Sequence, residues 1–129
     1  MIVRLAPARL CDGVGQVDDL ADLPARITQA ATERRCPRCV ETLDVFIEAY
    51  GAEAGNIALR GTATAGVYVG GGIAPKILPA LREGRFLHGF RSKDPMAEFV
   101  GAIPVAVILN DDAGLLGAAV YAQEVLLRT

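Results

Sequence analysis

The residues best placed to do chemistry are three consecutive glycines, Gly70-Gly71-Gly72, which follow the short β-prone run Ala65-Gly66-Val67-Tyr68-Val69. Glycines at the carboxyl end of a strand let a ligand come against bare backbone. The start of a following helix then offers N–H groups that have no intrahelical partner. Ile73-Ala74-Pro75 reads as that start, and Lys76 follows, where an ammonium can reach a phosphate. Open α/β sheets collect ligands at such strand ends. The spacing is neither G-x-G-x-x-G nor a P-loop closing on G-K-[ST]. On the residues alone, a tight structural turn and a ligand site both stay open, as does an ordinary solvated role for Lys76.

Cys36-Pro37-Arg38-Cys39 is half of a zinc motif. A structural zinc normally takes four ligands, and the remaining candidates, Cys11 and His88, are single and distant in sequence. A C-x-x-C at a helix start also suits thiol redox chemistry. The strand that should precede it in a thioredoxin-like arrangement is absent, so two ordinary structural thiols account for the pair. His88 is the sole histidine; without a Ser, Cys or Asp partner set it reads as a surface or packing residue. At Asn110-Asp111-Asp112, Asp111 is able to touch a metal or a hydroxyl, while turn chemistry explains Asn110 and capping explains Asp112.

The elements that must hold these residues follow from periodicity. Ile27, Ala30 and Ala31 suggest a short helix from Pro24 that ends before Cys36, and Pro37 suits the first turn of the next. In that next helix Val40, Leu43, Phe46, Ile47, Tyr50, Ala54, Ile57 and Ala58 recur at steps of three and four, with acidic residues between them. Gly61 is its expected stop. Gly51 and Gly55, four apart inside it, each cost roughly 1 kcal/mol in helix propensity and so imply close approach by another backbone. Beyond the glycine turn, a helix is expected from Ile73 to about Arg82, then short helical turns over 85–93. Asp94-Pro95 is the expected cap of a helix to about Val100. Pro104 to Leu109 is a continuous apolar run, the pattern of a strand covered on both faces, and a last helix is expected from about Ala113 to Leu127. Met1 to Leu10 suggests a short helix, broken at Asp12-Gly13-Val14-Gly15.

This order is α/β and helix-rich, but with two strands only. Two strands cannot bury a central apolar run by themselves, so the sheet is incomplete in this chain or another copy completes it. An open sheet edge of that kind favours self-association, and a homo-oligomer is expected. The 129 residues suit one domain. A net charge of -2 gives no electrostatic reason to expect nucleic acid or an anionic membrane as partner. No run approaches the ~20 apolar residues of a membrane span, and three cysteines, an odd number, fit a reducing cytoplasm better than a disulfide framework.

Four blocks, in order, resemble the bacterial (proteobacterial-type) glucokinase family. Cys36-Pro37-Arg38-Cys39 with Glu41-Thr42-Leu43-Asp44-Val45-Phe46 enters a long helix, and Gly55-Asn56-Ile57-Ala58-Leu59 follows within it. Gly66 to Lys76 is similar to the family's adenosine-side motif. Phe99, Ile103-Pro104-Val105, Asp111 and Gly114 to Ala119 complete the order. The resemblance spans residues 24–128 and identifies the chain, 1–129, as a single C-terminal glucokinase-like segment.

The resemblance implies the actin-like ATPase fold of hexokinases, here partial, and transfer of the γ-phosphoryl group of ATP to glucose with Mg²⁺, a step of glycolysis. It carries Gly70, Gly71, Gly72, Ile73 and Lys76 over as the nucleotide-binding set, on the adenine and ribose side. Family members hold phosphate in an Asp-x-Gly-Gly-Thr-Asn loop, take the catalytic Asp from an Asn-Asp pair, and bind the sugar with Glu and His. None of these is present: there is no Asp-x-Gly-Gly-Thr, no Glu-x-x-His, and no Asn-Asp pair other than Asn110-Asp111, which stands at the wrong place. The expectation is therefore ATP binding with no catalytic residue in this chain, and glucose bound only through an N-terminal part. The alternative is a truncated nucleotide-binding or structural, oligomerising module without catalysis.

Overall fold

A computed structural model describes residues 11–14 and 20–127; the short helix expected over Met1 to Leu10 lies outside them. The chain divides into two compact units, residues 1–47 and 48–129.

In the first unit, single 3-10 turns at Asp12–Val14 and Leu20–Asp22 precede helix α1, Leu23–Thr32. Pro24 falls in the first turn of α1, where the missing N–H costs nothing. Past its end Arg34 takes a left-handed φ of 54°, and the amides of Arg34 and Arg35 return to the carbonyls of Ala31 and Ala30. Glu33 accepts from Gln29 Nε2 at 3.0 Å and from Arg35, and these hydrogen bonds hold its carboxyl below the usual range. Helix α2 then runs from Pro37 to Gly61, as the spacing predicts. Among the described residues of this unit, the buried apolar ones are Val14, Ala30, Ala31, Cys36, Cys39, Leu43 and Ile47.

The second unit begins within α2. The buried stripe along the helix is Leu43, Ile47, Gly51, Ala54 and Ala58, whereas Phe46 and Ile57, expected in the apolar face, are exposed. Small residues narrow the stripe because the partner is backbone. A methyl group added to Gly51 would fall on the carbonyl oxygen of Phe86, and one on Gly55 on that of Phe90. Gly89 answers from the other side: its added methyl would meet the carbonyl oxygen of Glu48 and lie 3.1 Å from the amide nitrogen of Ala52. These contacts dock helix α4, Arg85–Arg91, directly on α2. Alongside, Tyr50 meets Phe86 edge-on at 5.6 Å, and Phe86 stacks on Phe90 at 6.3 Å, both favoured ring geometries.

Gly61 closes α2, but the left-handed residue after it is Thr62, at φ 46°, a conformation that a β-branched side chain rarely takes. The Ala63 amide bonds back to the carbonyl of Ala58 at 3.0 Å and satisfies one of the helix's last acceptors. Strand β1, Val67–Val69, follows and pairs in parallel with β2, Val105–Val107, in the register Val67 to Val105. Both strands are shorter than their apolar runs. Val105 and Val107 are half-buried and Ala106 is exposed, so β2 is not covered on both faces as its sequence predicts. The sequence pattern belongs to a central strand, and only one neighbouring strand is present among the described residues.

Two further expectations are corrected. The stretch from Ile73 is turn, and helix α3 covers only Leu78–Leu81. Pro75 and Pro79, four apart, lack the N–H donors that a continuous helix would use. Helix α5 spans Ala97–Gly101, two residues later than Asp94-Pro95 predicts. Asp94 and Pro95, joined by a cis peptide bond, sit inside a turn closed by the Met96 amide on the Lys93 carbonyl at 2.5 Å. The last helix, α6, runs Ala113–Leu127 as expected and contains no buried residue.

Candidate functional site

Parallel pairing puts the carboxyl ends of β1 and β2 at the same end of the sheet. Gly70-Gly71-Gly72 leaves one strand, and Asn110-Asp111-Asp112 leaves the other. The Ile108 amide donates to the Val69 carbonyl at 2.9 Å, and the Cβ position of Gly70 lies 3.5 Å from Ile108 Cδ1, which ties the two turns together at their roots. Gly70, Gly71 and Gly72 are exposed, and nothing stands within 4 Å of the Cβ positions of Gly71 and Gly72. Gly71 has φ +93°, which only glycine adopts readily. Among the described residues, the amides of Gly71, Gly72 and Ile73 donate to no backbone carbonyl. The turn is thus an open backbone surface with donors to spare.

Ile73 is 58% exposed and Lys76 is exposed, so both lie on the same accessible segment. The donors belong to the turn itself, because α3 begins only at Leu78 and has four residues. At the second turn, Asn110 Oδ1 accepts from the Asp112 amide at 2.9 Å, the turn chemistry expected of Asn110. The Asp112 carbonyl accepts from Leu116 at 2.9 Å at the start of α6, and Asp111 is exposed. His88 is exposed with Nε2 3.9 Å from Glu48 Oε1, a surface pairing that matches its expected role.

A cavity of about 390 Å³ lies against the sheet, lined by Val69, Val105 and Val107 with Leu81, Phe86 and Arg82 among the facing residues. None of the five predicted nucleotide-side residues lines it. It is the uncovered apolar face of the short sheet, and Arg82 is the one charged group there. Nothing in the spacing singles out Arg82, because its place depends on where α3 ends.

The first unit holds a separate cluster. Cys11 reaches the pair at the start of α2: its sulfur is joined to that of Cys36 and lies 3.1 Å from that of Cys39, and all three lie within 4.8 Å of one another. Cys11, distant in sequence, is therefore close in space. Helix α1 and two 3-10 turns separate residues 11 and 36, so no local spacing relates the two cysteines.

The comparisons agree with the order of sequence blocks. A family model described as Glucokinase matches residues 4–125. The glucokinase of Synechocystis sp. is 48% identical over 103 residues, covering 80% of this chain and 29% of that protein. That of Nostoc punctiforme is 48% identical over 108 residues, covering 84% and 32%. A crystal structure of glucokinase from an Antarctic psychrotroph superposes with a TM-score of 0.68 at 36% identity, over 74% of this chain and 30% of that one. The chain belongs to the glucokinase family and corresponds to its C-terminal portion. It spans about a third of the length of the curated relatives it matches. No described helix is long and apolar enough to cross a membrane.

Proposed function

We propose that this chain is the C-terminal part of an ATP-dependent glucokinase, which converts ATP and D-glucose to ADP and glucose 6-phosphate, and that it supplies the adenosine side of the ATP site. The single observation that carries the reading is the exposed glycine turn at the end of β1, with open Cβ positions at Gly71 and Gly72 and amides free of backbone partners. Amides without backbone partners in an accessible turn suit the oxygen acceptors of a ribose or phosphate, and Lys76 adds a cation on the same segment. Phosphoryl transfer also needs a base for the glucose hydroxyl and a metal held against the phosphates. This chain's turn residues provide backbone donors and orientation only. Mg²⁺, the Asp base and the sugar contacts belong to the remainder of a family enzyme, which is partnered through an actin-like ATPase fold. The cytoplasm is the compartment in which ATP and glucose meet such an enzyme.

The exposed apolar surface of α6 supports the same reading. Leu115, Leu116, Val120, Tyr121, Leu126 and Leu127 are all more than half exposed, and apolar surface of that extent marks a helix made to be covered. The alternative, a nucleotide-binding or oligomerising module without catalysis, draws on the same exposed helix and the short sheet.

Calorimetry with Mg·ATP on the purified chain separates the readings. Saturable binding is expected, and Gly72→Ala is expected to weaken it at least about tenfold by placing a methyl where the ligand approaches; an exposed change with no strain should alter stability by no more than about 0.5 kcal/mol. Gly71→Val should also lose binding, with an added backbone cost of about 1–2 kcal/mol from its left-handed φ. No heat at millimolar ATP would leave only the structural module. In a coupled assay the chain alone is expected to show no glucose phosphorylation, and turnover at ordinary enzyme rates would overturn the proposed division of labour.

A further inference from the structure

We propose that, in the reduced chain, Cys11, Cys36 and Cys39 together bind one zinc ion, with its fourth position open to solvent or an added ligand. Their sulfurs lie between direct contact and 4.8 Å of one another. Three thiolates around a tetrahedral zinc, at about 2.3 Å each, stand roughly 3.8 Å apart, within that range, so rotation about the side chains suffices.

Both arms of the site are held by backbone. The Cys36 carbonyl accepts from the amides of Cys39 and Val40, each at 3.1 Å, and fixes the two sulfurs of the pair at the start of a 25-residue helix. The Cys11 carbonyl accepts from Val14 at 3.0 Å in the 3-10 turn. Cys36 and Cys39 are buried, while Cys11 is half-buried and gives an ion access from solvent. Binding releases three thiol protons to solvent and transfers no electrons: three thiols and Zn²⁺ give a site of net charge -1. The positive end of the α2 dipole favours that charge, and Arg34, Arg35 and Arg38 flank the pair in sequence. A soft thiolate set of this kind selects zinc or copper(I) over Mg²⁺. The site is independent of the glycine-turn reading and of ATP.

The test is a cobalt titration of the full chain under a thiol-free reductant, followed by displacement with zinc. One equivalent of Co²⁺ is expected to produce sulfur-to-cobalt charge-transfer bands together with tetrahedral d–d bands. Cys11→Ser, Cys36→Ser and Cys39→Ser should each weaken binding by more than the roughly 10- to 100-fold seen when a residue merely supporting a ligand is lost. Cys11→Ser decides between a three-cysteine site and the C-x-x-C pair acting alone: wild-type affinity in that variant would overturn the proposal. Should that variant unfold by circular dichroism, alkylation of the wild-type chain decides instead. Zinc is expected to protect all three thiols, and protection of only two, or absence of thiolate–cobalt bands in the folded reduced chain, would overturn the site.

Discussion

Gly51→Val is expected to destabilise the chain by about 3 kcal/mol or more, the upper end of overpacking costs, and to abolish a single cooperative transition in urea. The new Cβ would fall on the carbonyl oxygen of Phe86 and within 2.8 Å of its carbonyl carbon. These are main-chain atoms of α4, so no side-chain rotation relieves the clash and the two helices must separate. Separation would also uncover Phe86 and Phe90, which are 4% and 1% exposed. Gly101→Ala is the control, since nothing lies within 4 Å of its Cβ position and it ends a helix. It should leave stability unchanged or raise it by up to about 1 kcal/mol. Equal losses for the two variants in chemical denaturation would show that helix propensity, and not close backbone approach, governs Gly51.

Phe90→Ala is expected to cost about 3–5 kcal/mol, whereas Leu126→Ala should shift stability by less than about 0.5 kcal/mol. Phe90 is among the largest fully buried side chains and stacks on Phe86, so its removal leaves a cavity in the packed core. Leu126 is 76% exposed and loses little water-excluded area on truncation. The contrast is informative because both are large apolar residues on helices, and composition alone would rank them together. Thermal unfolding of the two variants beside the parent checks it. A large loss at Leu126 would mean that α6 is covered in solution, and sedimentation of the parent would then be expected to show the self-association that an open sheet edge favours.

Much of the fold was legible because its signals are local. The period of α2 follows from side chains three and four apart sharing a face, and Pro37 and Gly61 mark its ends within the residue. The parallel sheet was legible only in part: β1 and β2 were readable as strands, but their coverage depends on neighbours that their own residues do not specify. Phe46 and Ile57 misled for a related reason. Apolar character marks a residue that can be buried, while the glycines decide which strip of the helix has something packed against it.

By itself the sequence determined the strand-to-glycine turn, the long second helix, the need for close approach at Gly51 and Gly55, and membership in the glucokinase family through ordered motifs. Each rests on interactions between residues near one another in the chain, or on a pattern carried whole. Only the tertiary structure decided that Phe86 and Phe90 are the backbones that those glycines meet, that the two turns share one end of the sheet, and that Cys11 joins Cys36 and Cys39. These are contacts across 25 residues or more. They depend on how helices and turns close in space, which no local spacing encodes.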